Sequence, residues 1–188
     1  MAEGTMRTLI AIGLAVLFVA SVSFLLRARS KKQAPTRPEV YDGLRAQILK
    51  GTRSSFNLAP TSAPMVPWGV VMDWGVTDGS ATVVALSDGH ASIYLSSGGG
   101  YLGGSQSHGS IRNAAQTAVA AAEEFQPQMR STDTFPLPHR GEVIFYLLTD
   151  AGVFTAAAPQ QEMSSQRNKL SKLGNDMQLI ITEYQKIQ

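Results

Sequence analysis

Trp68-Gly-Val-Val-Met-Asp-Trp-Gly-Val-Thr-Asp-Gly-Ser-Ala-Thr-Val-Val-Ala-Leu-Ser-Asp-Gly-His-Ala-Ser-Ile-Tyr-Leu-Ser96 is the stretch on which the fold turns. It contains three segments rich in β-branched and aromatic residues: Trp68 to Trp74, Ser80 to Leu86, and Ala91 to Ser96. Thr77-Asp78-Gly79 and Asp88-Gly89 separate them and supply the positive-φ residues that tight hairpin turns require. The pattern predicts an antiparallel meander.

Downstream, the glycine-rich run Gly98 to Gly104 leads into a predicted helix from about His108 to Phe125, ending before Pro127. Ile111, Ala115, Ala118, Val119, Ala122 and Phe125 recur at helical spacing, and the alanines predict close approach to a sheet. Ser131 to Pro138 reads as a loop. Glu142 to Thr149 and Val153 to Ala157 then read as a hairpin around Asp150-Ala151-Gly152. Val143 to Leu148 is apolar on both alternating faces, the mark of a central strand covered on both sides. Leu170, Leu173, Met177, Ile180, Tyr184 and Ile187 follow at spacings of 3, 4, 3, 4 and 3. This heptad seam predicts a helix lying on the sheet, with self-association through Leu170–Ile187 as the alternative.

Upstream, Pro38 suits the first turn of a helix running to Lys50, with Val40, Tyr41, Leu44 and Ile48 on one face. Gly51 to Pro67 is rich in Ser, Thr and Pro and reads as an extended connection. Thr8 to Leu26 is a run of 19 residues without a charge. As a helix it would span roughly 28 Å, the thickness of a bilayer core. The expected arrangement is a transmembrane anchor with its basic flank over 1–32, a linker with a short helix over 33–67, and an α+β domain over 68–188. In that domain a five-stranded, mainly antiparallel sheet packs with two or three helices, so that the elements after the anchor run α-βββ-α-ββ-α.

Charge orients this picture. Met1 to Arg53 holds nine Lys/Arg against three Asp/Glu, and Ser54 to Gln188 holds seven against eleven, giving +6 and −4. Basic residues follow the apolar run at Arg27, Arg29, Lys31 and Lys32, and Lys/Arg favour the cytoplasmic side. The expectation is a single-pass protein of a bacterial inner membrane, N-terminus outside and domain cytoplasmic, with that basic collar at the lipid surface. The acidic remainder argues against nucleic acid as a partner. The chain has no cysteine, which excludes disulfides, thiolate nucleophiles and cysteine-held metals.

Gly98-Gly-Gly-Tyr-Leu-Gly103 matches G-x-G-x-x-G between a strand and a helix. Gly98, Gly99, Gly100, Gly103 and Gly104, with Ser107, His108 and Arg112 beside them, form the candidate site for a small anionic ligand. The antiparallel setting and the lack of an acidic residue ending a second strand argue against a dinucleotide. His90, His108 and His139 have no partner at metal or triad spacing, so no metal, cofactor or catalytic residue is assigned. Asp73 is the one aspartate among those singled out, the others being Asp78, Asp88, Asp133 and Asp150, without an evident turn or capping role.

Asp88-Gly89, Ala91-Ser92, Gly98-Gly99-Gly100, Gly103-Gly104, His108 and Phe145-Tyr146-Leu147-Leu148-Thr149 together resemble the pattern of an uncharacterised bacterial protein family over Trp68 to Ala157. That resemblance implies no activity. The element order is similar to profilin-like and roadblock-type domains, at the level of fold alone. The functional expectation is a membrane-anchored, non-enzymatic interaction module or accessory subunit, partnered by the bilayer and by a protein or membrane complex. Its alternatives are a tethered sensor using the glycine loop and an enzyme with a dispersed site.

Overall fold

The computed structural model describes residues 36–164 and 167–187. Within them, Thr36 opens helix α1 (Arg37–Lys50): its hydroxyl accepts from the Glu39 amide while its own amide donates 2.6 Å to the Glu39 carboxylate, and Pro38 occupies the first turn. Seven strands follow: β1 (Gly69–Val76), β2 (Gly79–Leu86), β3 (Ala91–Leu95), β4 (Gly100–Leu102), β5 (Arg130–Thr132), β6 (Glu142–Thr149) and β7 (Gly152–Pro159). Helix α2 (Gly109–Ala122) separates β4 from β5, and α3 (Gln160–Ser164) and α4 (Ser171–Gln185) close the chain. The sheet order is β4-β3-β2-β1-β6-β7-β5, with every neighbouring pair antiparallel.

Alternation along the strands divides the core into two halves, one on each face of the sheet. Val70, Met72, Val83, Phe145 and Leu147 point to one face and pack against Ile111, Ala115 and Ala118 of α2 and Leu173, Met177 and Ile180 of α4. The small residues of α2 let two helices lie side by side on this face. On the other face Val71, Val84, Ile144, Tyr146 and Leu148 pack against Ile48 and Leu49 of α1, with Leu58 and Trp68 from the connection. Each fully buried Val, Leu, Ile, Phe or Met side chain contributes about 1.5–3 kcal/mol relative to exposure.

The five-stranded expectation is corrected to seven strands, and the order α-βββ-α-ββ-α to α-ββββ-α-βββ-α-α. The missed strands are β4 and β5, three residues each, whose pairing to β3 and β7 comes from tertiary register and not from any local strand pattern. The helix after the glycine run stops at Ala122 and tightens into a 3₁₀ turn over Glu123–Gln128 that accommodates Pro127. Helix α1 buries Tyr41, Arg45, Ile48 and Leu49, whereas Val40 is exposed and Leu44 half-buried. The heptad seam of α4 lies on the chain's own sheet, with Leu173, Met177 and Ile180 fully buried.

The single-pass membrane placement is also corrected. Among the described residues no helix is long and apolar enough to cross a membrane, because each is 15 residues or shorter and carries a polar face. Thr8–Leu26 and the basic residues Arg27, Arg29, Lys31 and Lys32 lie outside the described residues. The transmembrane, signal-anchor and inner-membrane assignments therefore go no further.

Candidate functional site

Asp73 sits in β1 on the α1 face, directly opposite Thr82 of β2. The Thr82 hydroxyl donates 2.5 Å to Asp73 Oδ1, and Tyr41 Oη lies 2.9 Å from Thr82 Oγ1. Arg45, one turn beyond Tyr41 on α1, donates through Nε at 2.8 Å and Nη2 at 2.5 Å to Asp73 Oδ2. The same guanidinium reaches the carbonyls of Phe135 at 3.0 Å and Pro136 at 2.9 Å. Tyr146 of β6 donates to the Pro136 carbonyl at 3.1 Å, and its ring centroid lies 5.8 Å from the guanidinium carbon.

Electrostatics follow from depth. Burial pushes the Asp73 carboxyl up, and the Arg45 guanidinium and Thr82 hydroxyl pull it back. Burial, with Asp73 adding to it, pushes Tyr146 up to about 12, and burial also raises Tyr41. Both oxygens of Asp73 are engaged and its side chain is fully enclosed. A group so enclosed and so fully bonded is a clamp: it fastens α1 and the loop of residues 133–139 to the centre of the sheet.

Beyond the clamp lies a groove of ≈ 590 Å³. Its floor is Ile144 and Tyr146 of β6 with Thr155, Ala156 and Ala157 of β7, and one wall is Pro127–Arg130 at the entry to β5. The opposite wall is the proline-rich loop, with Thr134, Pro136, Leu137 and His139. Clamp and groove are contiguous, because Tyr146 lines the groove while holding the same Pro136 carbonyl as Arg45. Glu142 turns one carboxylate oxygen back to the His139 amide at 2.9 Å, which fixes the loop's end. Arg130 and the His139 side chain make no ion pair with a described residue. A smaller cavity of ≈ 310 Å³ lies between Phe56, His90 and Tyr94, with His90 Nδ1 engaged by Asp88 Oδ2 at 2.6 Å.

The glycine run occupies a different place. Gly98 and Gly99 form the β3–β4 turn with φ of 100° and 87°, the Gly98 amide bonding the Leu95 carbonyl at 2.9 Å. Gly100 begins β4 with φ of 143°, where a Cβ would stand 2.1 Å from the Ile93 carbonyl oxygen. A side chain on Gly104 would meet the ring of Tyr184, whose hydroxyl accepts from the Gly104 amide at 3.1 Å and donates to the Ala91 carbonyl at 2.8 Å. Gly103 is left-handed and precedes the 3₁₀ turn Gly104–Gln106, Ser107 closes that turn, and His108 is the N-cap residue of α2, its side chain making no capping bond. Arg112 donates to the carbonyls of Ser105 at 3.0 Å and Gln106 at 3.2 Å. Turn geometry and packing thus account for these glycines, and the cation beside them serves backbone carbonyls.

Neither a family model, a curated protein nor a solved structure matches the chain. Among the described residues no group of three or more His, Asp or Glu is placed to hold a metal ion. Asp73 was visible in the sequence as an aspartate without a turn role. Its partner was not, because Arg45 lies 28 residues away. The available signal was Arg45 at helical spacing between Tyr41 and Ile48, a charge on the face that the helix buries.

Proposed function

We propose that the compact unit Thr36–Gln188 is a non-enzymatic docking module that receives a segment of a partner protein in the groove beneath residues 134–139. The observation that carries this reading is the groove itself. At ≈ 590 Å³ it falls within the usual range of binding clefts, and a loop roofs it where helices cover the opposite face of the sheet. Its floor mixes apolar side chains with strand backbone, the composition of a surface that recognises a peptide. The strongest polar cluster nearby is spent on holding the loop, which favours binding over catalysis. Leu137, exposed on the groove wall, adds apolar area to that surface.

The test is selection of peptides from a random displayed library on the full-length chain, followed by hydrogen-exchange footprinting of the bound state. Protection at Arg130–Thr132, Glu142–Tyr146 and Thr155–Ala157 is the expected result. Failure to select any peptide, or protection confined to Gly98–Arg112, would overturn the proposal; the second outcome would return the site to the glycine run.

A further inference from the structure

We infer that the groove takes its partner by strand addition, an extended segment carrying a carboxylate pairing with the open edge of β7 at Ala157. This rests on the docking reading above and specifies how the groove is filled.

The phase of the ladder identifies the residue. β6 and β7 are joined by the two-residue turn Asp150-Ala151, with Thr149 opposite Gly152, and the Gln160 amide donates 2.8 Å to the Gly141 carbonyl at the other end. In an antiparallel pair, bonded and non-bonded positions alternate. Gly152, Phe154, Ala156 and Ala158 therefore turn their backbone groups to β6, while Val153, Thr155 and Ala157 turn theirs to the opposite side. β5 takes up that side at Val153 and Thr155, through Thr132 and Arg130, and begins there. The preceding Met129 amide bonds back to the Gln126 carbonyl at 3.0 Å, which carries the chain off the line of the ladder. Among the described residues no strand stands beside Ala157 on the side away from β6, and Ala157 is exposed along the groove.

One outward amide and one outward carbonyl on an open strand are complementary to an extended backbone. A helix cannot meet them, since its own amides and carbonyls are bonded internally. The incoming segment runs antiparallel to β7 and in line with β5, so it ends against Arg130. That guanidinium lines the groove, is exposed and has no ion pair among the described residues. Glu142, the acidic residue of the lining, already accepts from the His139 amide. Glu142 keeps its charge but stands opposite Pro159, away from Thr155, which faces Arg130. The charge at the end of the incoming segment is therefore positive, which selects a segment bearing Asp or Glu there.

The experiment uses the full-length chain and the tightest library peptide whose footprint lies in the groove. Each peptide amide is N-methylated in turn, and Ala157→Pro and Arg130→Glu are measured against the unmodified peptide. Strand addition predicts that one N-methyl position and Ala157→Pro each weaken binding at least about tenfold. Arg130→Glu should weaken acidic peptides by a similar factor and flatten their salt dependence. Ala157→Pro removes an amide that takes no part in the β6 ladder, and circular dichroism checks its fold. If it unfolds, the N-methyl series on the unaltered chain decides. Groove binding indifferent to every N-methylation overturns strand addition while leaving the docking reading intact; the absence of any groove-binding peptide overturns both.

Discussion

The two faces of one sheet are built on different chemistry. Against α2 and α4 the interior is almost wholly apolar, and Ala115, Ala118 and Ala122 let two helices sit closely on Val70, Val83, Phe145 and Leu147. Against α1 the centre is ionic: Arg45, Asp73, Thr82 and Tyr41 form a bonded cluster, and a loop supplies cover where a helix does not reach. Apolar packing is non-directional and tolerates small shifts, whereas a buried ion pair fixes one geometry and penalises its loss heavily. The apolar face therefore supplies most of the cohesion. The polar face fixes the position of the loop, and with it the shape of the groove.

Breaking the clamp should have the largest effect. Arg45→Met leaves a buried carboxylate without its partner and should destabilise by about 3–5 kcal/mol in chemical denaturation. Adding Asp73→Leu should recover most of that loss, because a charge-free pair no longer needs compensation. If the double variant is as unstable as the single one, the ion pair is not what the face depends on. On the apolar face, Leu173→Ala should cost about 2–5 kcal/mol by leaving a cavity beneath α4, and it should leave peptide binding in the groove unchanged for the folded fraction.

Two smaller effects sharpen the contrast by testing exceptions within each face. Asp176 on α4 has a buried Oδ2 with no hydrogen-bond partner among the described residues, and burial raises its carboxyl against the opposing pull of Lys172. The native group then keeps its proton to a higher pH than the unfolded one, so its contribution to stability falls as pH rises from the ordinary carboxylate range through the raised value. Asp176→Asn should raise the melting temperature at neutral pH, and the gain should vanish below about pH 3.9, where the aspartate is protonated in both states. Trp68 on the α1 face is buried, and its Nε1 has no hydrogen-bond partner among the described residues. Trp68→Phe trades lost ring contact with Phe56, 5.7 Å away, against removal of that orphan donor, and stability should stay within about 1 kcal/mol.

The apolar face was largely legible in the sequence. The meander, the alanine-rich helix, the strand from Glu142 to Thr149 and the seam of α4 each carry a local period, and local periods survive without knowledge of the tertiary fold. Gly100–Leu102 and Arg130–Thr132 carry none: three residues cannot establish an alternation, and glycine argues against a strand until a partner strand is in place. The clamp was half legible, since Asp73 stood out and Arg45 did not. The groove was illegible because its walls come from 127–139, β6 and β7, and its vacancy at Ala157 is a property of register between β5 and β7.

The most direct test of that vacancy is residue-resolved amide exchange by NMR on the full-length chain, free and with a groove-binding peptide. In the free chain Ala157 should exchange at least about a hundredfold faster than Ala156 and Ala158, which bond to β6, and peptide should bring it to their level. An Ala157 amide already as protected as its neighbours in the free chain would mean that the edge of β7 is closed, and would contradict the account.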